Sequence, residues 1–215
     1  MKNKQQHWAK ASFALLIFVI LGYVIRFYPQ QLTGFDSTIQ SAIRGDLPAT
    51  LTAFFTKVTH VMDTKIIVIW VGLLLAAFAY KKWYSEALFL GSNLVLTGLL
   101  VLLLKNIYQR PRPSILHLVE EKGFSFPSGH SLASTLVLGS LIIISQHVKN
   151  KTVRYCLQGL LVLGIVTIVV SRVYVGVHYP SDVLGSMILG LAVLQFEYPL
   201  YDRLRFQWRF TGKQK

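Results

Sequence analysis

Three short segments in the second half of the chain combine basic side chains with histidines, at spacings that favour chemistry on a phosphate group. One lysine and two arginines supply a point charge and two planar forks, which is the usual means of holding a phosphate. Two histidines and a carboxylate add a nucleophile, a proton donor and a group that orients one of them. The residues concerned are Lys105, Arg112, Ser128, Gly129, His130, Arg172, His178 and Asp182.

The spacing around His178 is typical of an oriented nucleophile. His178 and Asp182 lie four residues apart with Pro180 between them, and proline is favoured in the first turn of a helix. If a helix begins at Pro180, Asp182 can reach back to Nδ1 of His178 and leave Nε2 to attack phosphorus. His130, predicted at the start of another helix, is then free to protonate a leaving oxygen. Ser128 is placed to cap that helix, whose first amides would face the same phosphate.

Each of these residues has a simpler interpretation when it is taken alone. A single serine before a helix is usually only a cap, and long basic side chains near a membrane usually reach toward the headgroups. The three segments together favour chemistry because they share one chemical theme. For the other polar candidates the simpler interpretation holds: we expect headgroup contacts from Lys57, Arg110 and Lys122, and ordinary interfacial positions for His60, His117 and His147.

The elements that must position these residues are predicted to be transmembrane helices. Of the 215 residues, 53% are hydrophobic and 14% are charged, whereas about a quarter of the residues of a soluble domain are charged. Apolar runs near the length needed to cross a bilayer predict an all-α, polytopic membrane protein that forms a single domain over residues 1–215. The six predicted spans cover about residues 9–27, 66–80, 87–104, 131–145, 157–170 and 183–200. The first run lacks a small-residue cleavage site, so we interpret it as an uncleaved span.

The distribution of basic residues predicts the orientation of these spans. The formal net charge is +13, and basic residues in excess mark cytoplasmic loops. The termini and even-numbered loops, where only Glu86 and Asp202 are acidic, hold Lys2, Lys4, Lys10, Lys81, Lys82, Lys149, Lys151, Arg154, Arg203, Arg205, Arg209, Lys213 and Lys215. Both termini are therefore predicted to be cytoplasmic and the three polar segments to face outside, in the cell membrane. The basic excess is explained without a nucleic-acid partner.

The first outer loop, residues 29–65, is predicted to contain an amphipathic helix that begins after Asp46-Leu47-Pro48. Apolar residues recur at three- and four-residue steps, with polar residues on the opposite side. The apolar set is Leu51, Phe54, Phe55, Val58, Val61 and Met62, and the polar set is Thr52, Thr56, Lys57 and Thr59. Such a helix lies in the outer interface. We interpret it as a lid on the spans in preference to a gate for lipid entry.

The three segments resemble the three-part signature of the type 2 phosphatidic acid phosphatase family. They read Lys105-x6-Arg112-Pro113, Pro127-Ser128-Gly129-His130 and Ser171-Arg172-x5-His178-x3-Asp182, with every signature residue at the family's spacing. The resemblance implies dephosphorylation of a lipid phosphate without metal or cofactor, through a phosphohistidine intermediate. It assigns the nucleophile to His178, its orienting partner to Asp182 and the general acid to His130. Phosphate binding is assigned to Lys105, Arg112, Ser128, Gly129 and Arg172.

Within that family the chain most resembles compact bacterial members that act on phosphatidylglycerophosphate or undecaprenyl pyrophosphate, and the first substrate is favoured. The expected partners are the lipid substrate and the bilayer, with no obligate protein partner. Vanadium haloperoxidases have similar motifs, but those proteins are soluble. A lipid or anion transporter is the alternative from another class, although its polar groups should lie near the membrane midplane. Glu120 and Glu121 are interpreted as balancing the charge of Lys122, in preference to a role in disfavouring heavily charged headgroups.

Overall fold

The computed structural model describes residues 4–215, and within that range the chain is helical, without β-strands. Short 3-10 turns at Pro29–Leu32 and His60–Met62 and a π-helical turn at Ser134–Leu138 connect some of the helices. The helices of this described range are α1 (Lys4–Phe27), α2 (Thr33–Arg44), α3 (Ala49–Thr59), α4 (Thr64–Tyr80), α5 (Tyr84–Tyr108), α6 (Gly129–Ala133), α7 (Gly139–Ser145), α8 (Lys151–Tyr174) and α9 (Pro180–Phe210).

Each of the six predicted spans falls on helix, which confirms the all-α membrane architecture. In the described range, α1, α5, α8 and α9 are long and apolar enough to cross a bilayer. The segment Ala49–Met62 meets α4 at an angle of 58°, and the two would make a fifth span if they are counted as one. The apolar segment Gly129–Ser145, formed by α6, the π-helical turn and α7, is shorter. The count of six spans therefore stays a prediction.

The first turn of α9 forms as the sequence predicts. Pro180 occupies the start of the helix, where its missing N–H removes no intrahelical hydrogen bond. The carboxylate of Asp182 accepts a hydrogen bond of 2.9 Å from the backbone N–H of Tyr179, which satisfies one of the free donors at a helix start. This local geometry holds Asp182 within one turn of His178.

The helix α9 runs through the middle of the bundle and packs along α1 and across α6. A buried cluster that includes Phe18, Phe126, Leu132 and Leu189 joins these helices. The phenyl rings of Phe18 and Phe126 stack with their centroids 5.6 Å apart. Phe126 directly precedes Pro127 and Ser128, so the same core that packs the helices also fixes the start of α6.

The first outer loop contains one helix that the sequence pattern did not predict, α2. Its buried residues are Asp36, Gln40 and Arg44, which recur at four-residue steps and therefore line one helical face. Because this buried face is polar, a search for apolar periodicity misses the helix. Arg44 donates hydrogen bonds of 2.9 Å to the Tyr174 carbonyl and 2.8 Å to the Leu116 carbonyl.

The predicted amphipathic helix is present as α3 and packs against α8. An amphipathic helix at an interface normally turns its polar side to water, but here Thr52 and Thr59 face the protein together with Phe55 and Val58. Thr52 Oγ1 lies 3.0 Å from the Tyr174 hydroxyl, and Thr59 Oγ1 accepts a hydrogen bond of 2.6 Å from Arg172. Leu51 and Phe54 remain exposed. The hydroxyl groups satisfy buried polar groups of α8, which explains this orientation.

Candidate active site

The three polar segments meet at one end of the helix bundle. The C-terminal end of α5, the N-terminal end of α6 and the connection between α8 and α9 contribute to the same region. A cavity of about 1140 Å³ lies there, with Lys105, Gly129, His130 and His178 among its lining residues. The remaining wall is mostly apolar and comes from α4 and α5, at Ile67, Val68, Leu94, Val95, Val101 and Leu102. We call the end with Lys105 and the two histidines the cationic end, because Arg112 and Arg172 lie beside it, although Asp63, Glu120 and Glu121 also line it. The rest of the cavity is a surface that suits an acyl chain.

His178 lies in the connection between α8 and α9 and is buried. Its Nδ1 atom is 3.5 Å from Asp182 Oδ2, and its Nε2 atom is 3.5 Å from Arg112 Nη1. Burial lowers the pKa of His178 to about 3, although the carboxylate of Asp182 acts in the opposite direction. The imidazole is therefore neutral at pH 7, which is the form that can attack phosphorus.

Asp182 is held by more partners than the sequence predicts. Arg110 Nη1 donates to Asp182 Oδ1 at 2.5 Å, and the hydroxyl of Ser125 donates to Oδ2. Arg110 also forms an ion pair of 2.7 Å with Asp36 on α2. The prediction that Arg110 reaches lipid headgroups is wrong, because two buried carboxylates compete for it more strongly than solvent does. Burial lowers the pKa of Arg110, but these two carboxylates raise it above its ordinary value.

His130 is bound to a carboxylate that the sequence analysis missed. His130 Nε2 lies 2.9 Å from Asp63 Oδ1, and His60 Nδ1 lies 2.7 Å from the other oxygen of the same carboxylate. Burial raises the pKa of Asp63, but the hydrogen bonds from the two histidines outweigh burial and lower it. Asp63 is therefore an anion at pH 7. Its position directly before α4 was the only signal in the sequence. An aspartate at such a position is normally interpreted as a helix cap, which is why its contact with His130 was missed.

The predicted phosphate-binding residues divide into two groups. Lys105 and Gly129 line the cavity, whereas the Ser128 hydroxyl is buried and caps α6 by accepting from the Ser131 amide at 3.4 Å. Arg112 and Arg172 are buried behind the cavity wall.

The two arginines are held by other groups of the protein, and one donor atom of Arg172 is left without a partner in the described part of the chain. Arg112 donates to the Val177 carbonyl at 2.8 Å, and to the carbonyls of Gly123 and Lys122 at 3.0 Å each. Arg172 donates to Thr59 at 2.6 Å, and its Nε atom has no hydrogen-bond partner among residues 4–215. A buried donor of this kind costs free energy unless a polar partner meets it.

Glu121 lies between the two buried arginines and the cavity. Its carboxylate forms an ion pair with Arg172, lies 3.4 Å from Arg112 Nη2, and lies 3.9 Å from His130 Nδ1. The prediction that Glu121 balances Lys122 is wrong, because the arginines are buried whereas the Lys122 side chain is exposed. Burial raises the pKa of Glu121, but Arg172, His130 and Arg112 together lower it below its ordinary value.

The arrangement has the groups that phosphoryl transfer by a histidine requires. A neutral buried imidazole faces a cationic region, and a second imidazole stands beside the same cavity. Phosphoryl transfer depends mainly on positioning and on stabilising charge, and the lysine and two arginines supply that charge. Between residues 4 and 215 there is no group of three or more His, Cys, Asp or Glu side chains arranged to hold a metal ion.

Comparison with known protein sequences identifies the family. The PAP2 superfamily matches residues 86–206. Phosphatidylglycerophosphatase B of Bacillus subtilis (strain 168) is 32% identical over 189 residues, which cover 82% of this chain and 87% of that protein. Undecaprenyl-diphosphatase BcrC of the same organism is 30% identical over 146 residues, which cover 65% of this chain and 71% of that protein.

Two crystal structures share the fold. The first transmembrane PAP2 type phosphatidylglycerolphosphate phosphatase from Bacillus subtilis superimposes with a TM-score of 0.78 at 28% identity, over 92% of this chain and 96% of that chain. Aquifex aeolicus LpxE gives a TM-score of 0.60 at 23% identity, over 76% of this chain and 96% of that chain, and supports the fold alone. From the sequence match, the shared fold and the cavity that its signature residues surround, we conclude that the chain belongs to the PAP2 superfamily and is a membrane lipid phosphatase.

Proposed function

We propose that this lipid phosphatase removes the terminal phosphate of phosphatidylglycerophosphate, with His178 as the nucleophile. The observation that carries the proposal is the position of His178, which is buried and neutral at the cationic end of a cavity with an apolar wall. The apolar wall suits the acyl chains of a lipid, and the cationic end suits its phosphate. The 32% identity to a phosphatidylglycerophosphatase B supports this choice of lipid.

The reaction proceeds in two steps, through a phosphohistidine intermediate. In the first, His178 Nε2 forms a bond to phosphorus, the bond from phosphorus to the ester oxygen breaks, and His130 gives that oxygen its proton. In the second, a water oxygen attacks the phosphohistidine while His130 takes the water proton, which releases inorganic phosphate and restores His178. Lys105, Arg112 and Arg172 stabilise the charge on the phosphoryl oxygens in both steps. Asp182 orients His178 through its Nδ1 side.

The same chemistry on undecaprenyl pyrophosphate is the second candidate. It is favoured by the 30% identity to an undecaprenyl-diphosphatase and by the length of the apolar wall, which runs from Lys105 to Leu94 along α5. A helix rises about 1.5 Å per residue, so this wall extends well below the cationic end. In both cases we propose, from the excess of basic residues in the even-numbered loops, that the termini are cytoplasmic and that the cavity faces the outer side.

Phosphate release from purified lipids in detergent tests the assignment of the substrate. We expect turnover of phosphatidylglycerophosphate to exceed that of phosphatidic acid and undecaprenyl pyrophosphate at equal surface concentration. Activity should persist in excess EDTA, and vanadate should inhibit because its adducts resemble the transferring phosphoryl group. A preference for the undecaprenyl substrate would select the second candidate. Loss of activity in EDTA that magnesium restores would contradict the metal-independent mechanism.

Two substitutions test the roles of the histidines. His178→Ala should abolish turnover of every substrate, because the proposed reaction forms the phosphohistidine on this side chain. His130→Ala should reduce turnover of the lipid by about 10²–10⁴-fold, and much less for p-nitrophenyl phosphate, whose phenolate leaves without a proton. Equal losses on the two substrates would remove His130 as the general acid. Substantial turnover by His178→Ala would remove His178 as the nucleophile.

A further inference from the structure

Glu121 occupies the position in which a substrate phosphate would contact both arginines of the site. Its carboxylate meets Arg172 and Arg112, and His130 is on its third side. These three partners belong to the three different signature segments, so the carboxylate lies where the segments converge. A carboxylate resembles part of a phosphate in charge and in its ability to accept from an arginine fork. Glu121 thus makes the contacts that the mechanism assigns to the phosphoryl oxygens.

The lining of the cavity shows the consequence of this position. Glu121 lines the cavity, whereas Arg112 and Arg172 are absent from its described lining. The side chain of Arg172 is only 1% exposed and that of Glu121 is 23% exposed. A phosphate that enters the cavity therefore meets a carboxylate before it reaches the arginines. Contact with both guanidinium groups requires the carboxylate to move away.

The backbone around Glu121 permits such a movement on a local scale. The segment belongs to the connection between α5 and α6 and has no regular secondary structure. It is fixed at its ends, where Leu118 N donates to the Val175 carbonyl and Ser125 N donates to the Arg110 carbonyl, both through backbone hydrogen bonds. Between these points, Glu120 and Lys122 are exposed. A rotation of the Glu121 side chain toward solvent would uncover the arginines without disturbing either anchor.

We propose that Glu121 is an internal competitor for the phosphate position, displaced by the terminal phosphate of the substrate and returning when inorganic phosphate leaves. This inference rests on the proposed function, because it takes the cationic end of the cavity to be the phosphate site. An internal competitor weakens the binding of every anion by the same factor, because only the molecules in which the site is free can bind an anion. Singly charged phosphodiester headgroups, which bind the arginines less strongly than a terminal phosphate dianion, then fall below useful affinity. Glu121 would thereby keep abundant membrane lipids from occupying the site.

The alternative role for Glu121 is purely structural, as the counter-ion of the buried Arg172. Removal of one partner of a buried ion pair destabilises a protein in either case, so loss of stability alone does not separate the two roles. The affinity for an added anion does separate them. A competitor that is removed leaves the site more open to phosphate, whereas the loss of a structural contact leaves the arginines less well ordered and phosphate binding weaker.

The experiment compares Glu121→Gln with the wild type and with Glu120→Gln as the matched control. Glu120 is the adjacent, exposed carboxylate and forms no ion pair within residues 4–215. The probes are inorganic phosphate and dimethyl phosphate, a singly charged diester. Inhibition constants come from hydrolysis of p-nitrophenyl phosphate, and the rise in melting temperature with added phosphate gives a second measure that does not depend on turnover.

We expect Glu121→Gln to lower the inhibition constants of both anions by about tenfold if the carboxylate occupies the site nine-tenths of the time. Phosphate should also raise the melting temperature of this variant more than that of the wild type, and Glu120→Gln should match the wild type in both measurements. Glu121→Asp, which keeps the charge but shortens the side chain, should give an intermediate effect. It also provides the measurement if Glu121→Gln does not fold.

Unchanged or weaker phosphate binding by Glu121→Gln, or by Glu121→Asp in its place, would overturn the inference. The same result from Glu120→Gln as from Glu121→Gln would also overturn it, because a general charge effect would then explain both. Failure of the proposed function looks different. In that case the wild type would not release phosphate from lipids in a manner that depends on His178, whatever the two variants do to anion binding.

Discussion

Each histidine of the site is paired with its own carboxylate, and the two carboxylates differ in what else binds them. Asp182 stands beside His178 but is itself neutralised by Arg110 and by hydrogen bonds from Ser125 and Tyr179. Asp182 favours a protonated His178, but burial outweighs this effect and His178 stays neutral. Asp63 has no arginine partner among the residues described and binds His130 directly. That carboxylate favours the protonated form of His130, which is the form a general acid needs, but burial and Arg172 outweigh it and lower the pKa of His130 to about 4.

Substitution of Asp63 by asparagine should test the second pair. Without the carboxylate, His130 holds its proton less strongly, so we expect the alkaline limb of the kcat profile to move to lower pH. The substitution leaves the other charged groups near His130 in place, namely Glu121, Arg172 and Lys105. The profile is measured with a lipid substrate, and Asp63→Glu should restore the original limb. An unchanged limb in Asp63→Asn would show that Asp63 has only a structural contact with His130.

The low pKa of His178 predicts a pH dependence of stability. Burial lowers the pKa from 6.5 to about 3, so the unfolded chain binds a proton between these values that the folded protein does not. The contribution of His178 to the free energy of unfolding is therefore full above pH 6.5 and is lost as the pH falls toward 3. At pH 5 the loss is about 2 kcal/mol. Melting temperatures in detergent from pH 7 to pH 5 should fall less for His178→Gln than for the wild type, and parallel curves would contradict this account.

At the scale of helices, α2 is the element that holds the α8–α9 connection in place. Its buried polar face contacts the segment from Tyr174 to Asp182 at several points. Asp36 accepts hydrogen bonds of 2.8 Å from the backbone N–H and the hydroxyl of Ser181, and Gln40 Nε2 is 3.5 Å from the His178 carbonyl. Arg110 joins α2 to α9 through its two carboxylate partners. Polar contacts between α2 and the start of α9 therefore position the site.

Substitution of Arg110 should disrupt this junction. Arg110→Gln leaves Asp36 and Asp182 buried without their counter-ion, and breaking a buried pair in this way costs about 3–5 kcal/mol. We expect a lower melting temperature and a loss of turnover, because Asp182 no longer has a fixed position beside His178. Lys122→Gln is the control, since Lys122 is a basic residue of the same connection but is exposed. Wild-type stability in Arg110→Gln would contradict the role of the junction.

At the scale of the whole molecule, the bundle separates an apolar outer surface from a polar interior near one end. Leu73, Leu102 and Phe206 are among the large apolar side chains that are exposed, as expected where lipid replaces water. Most of the buried charges gather instead around Arg110, Arg172 and Asp182, whereas Glu86 is buried at the other end of α5 and pairs with Arg205 and Arg209. That the chain forms one domain over residues 1–215 and that its active end faces outside both stay predictions.

Labelling of single cysteines tests the orientation. Cys156 is exposed and is first replaced by alanine, after which one cysteine is introduced at Glu120 or at Lys149. Both positions are exposed and lie in connections at opposite ends of the segment Gly129–Ser145. An impermeant thiol reagent added to intact cells should react at position 120 and not at position 149, because the basic loops remain inside. The reverse pattern would place the active site in the cytoplasm.

The sequence by itself determined the class of the fold and the residues that gather at the cavity. Apolar runs, the first turn at Pro180 and the spacing of His178 and Asp182 are local properties, because each depends on residues within a few helical turns. All six predicted spans fall on helix, and the predicted start of α9 is confirmed. The signature residues were recognisable because their types and spacings occur together.

Only the tertiary structure decided which charges pair. Arg110 binds Asp36 and Asp182, His130 binds Asp63, and Glu121 binds Arg172, across separations of 51 to 74 residues. No local pattern encodes such a choice, because the energy of an ion pair depends on distance and burial in space. The same reason explains why α2 was missed. Its buried face is polar and becomes stable only when Arg110, the start of α9 and the α8–α9 connection lie against it.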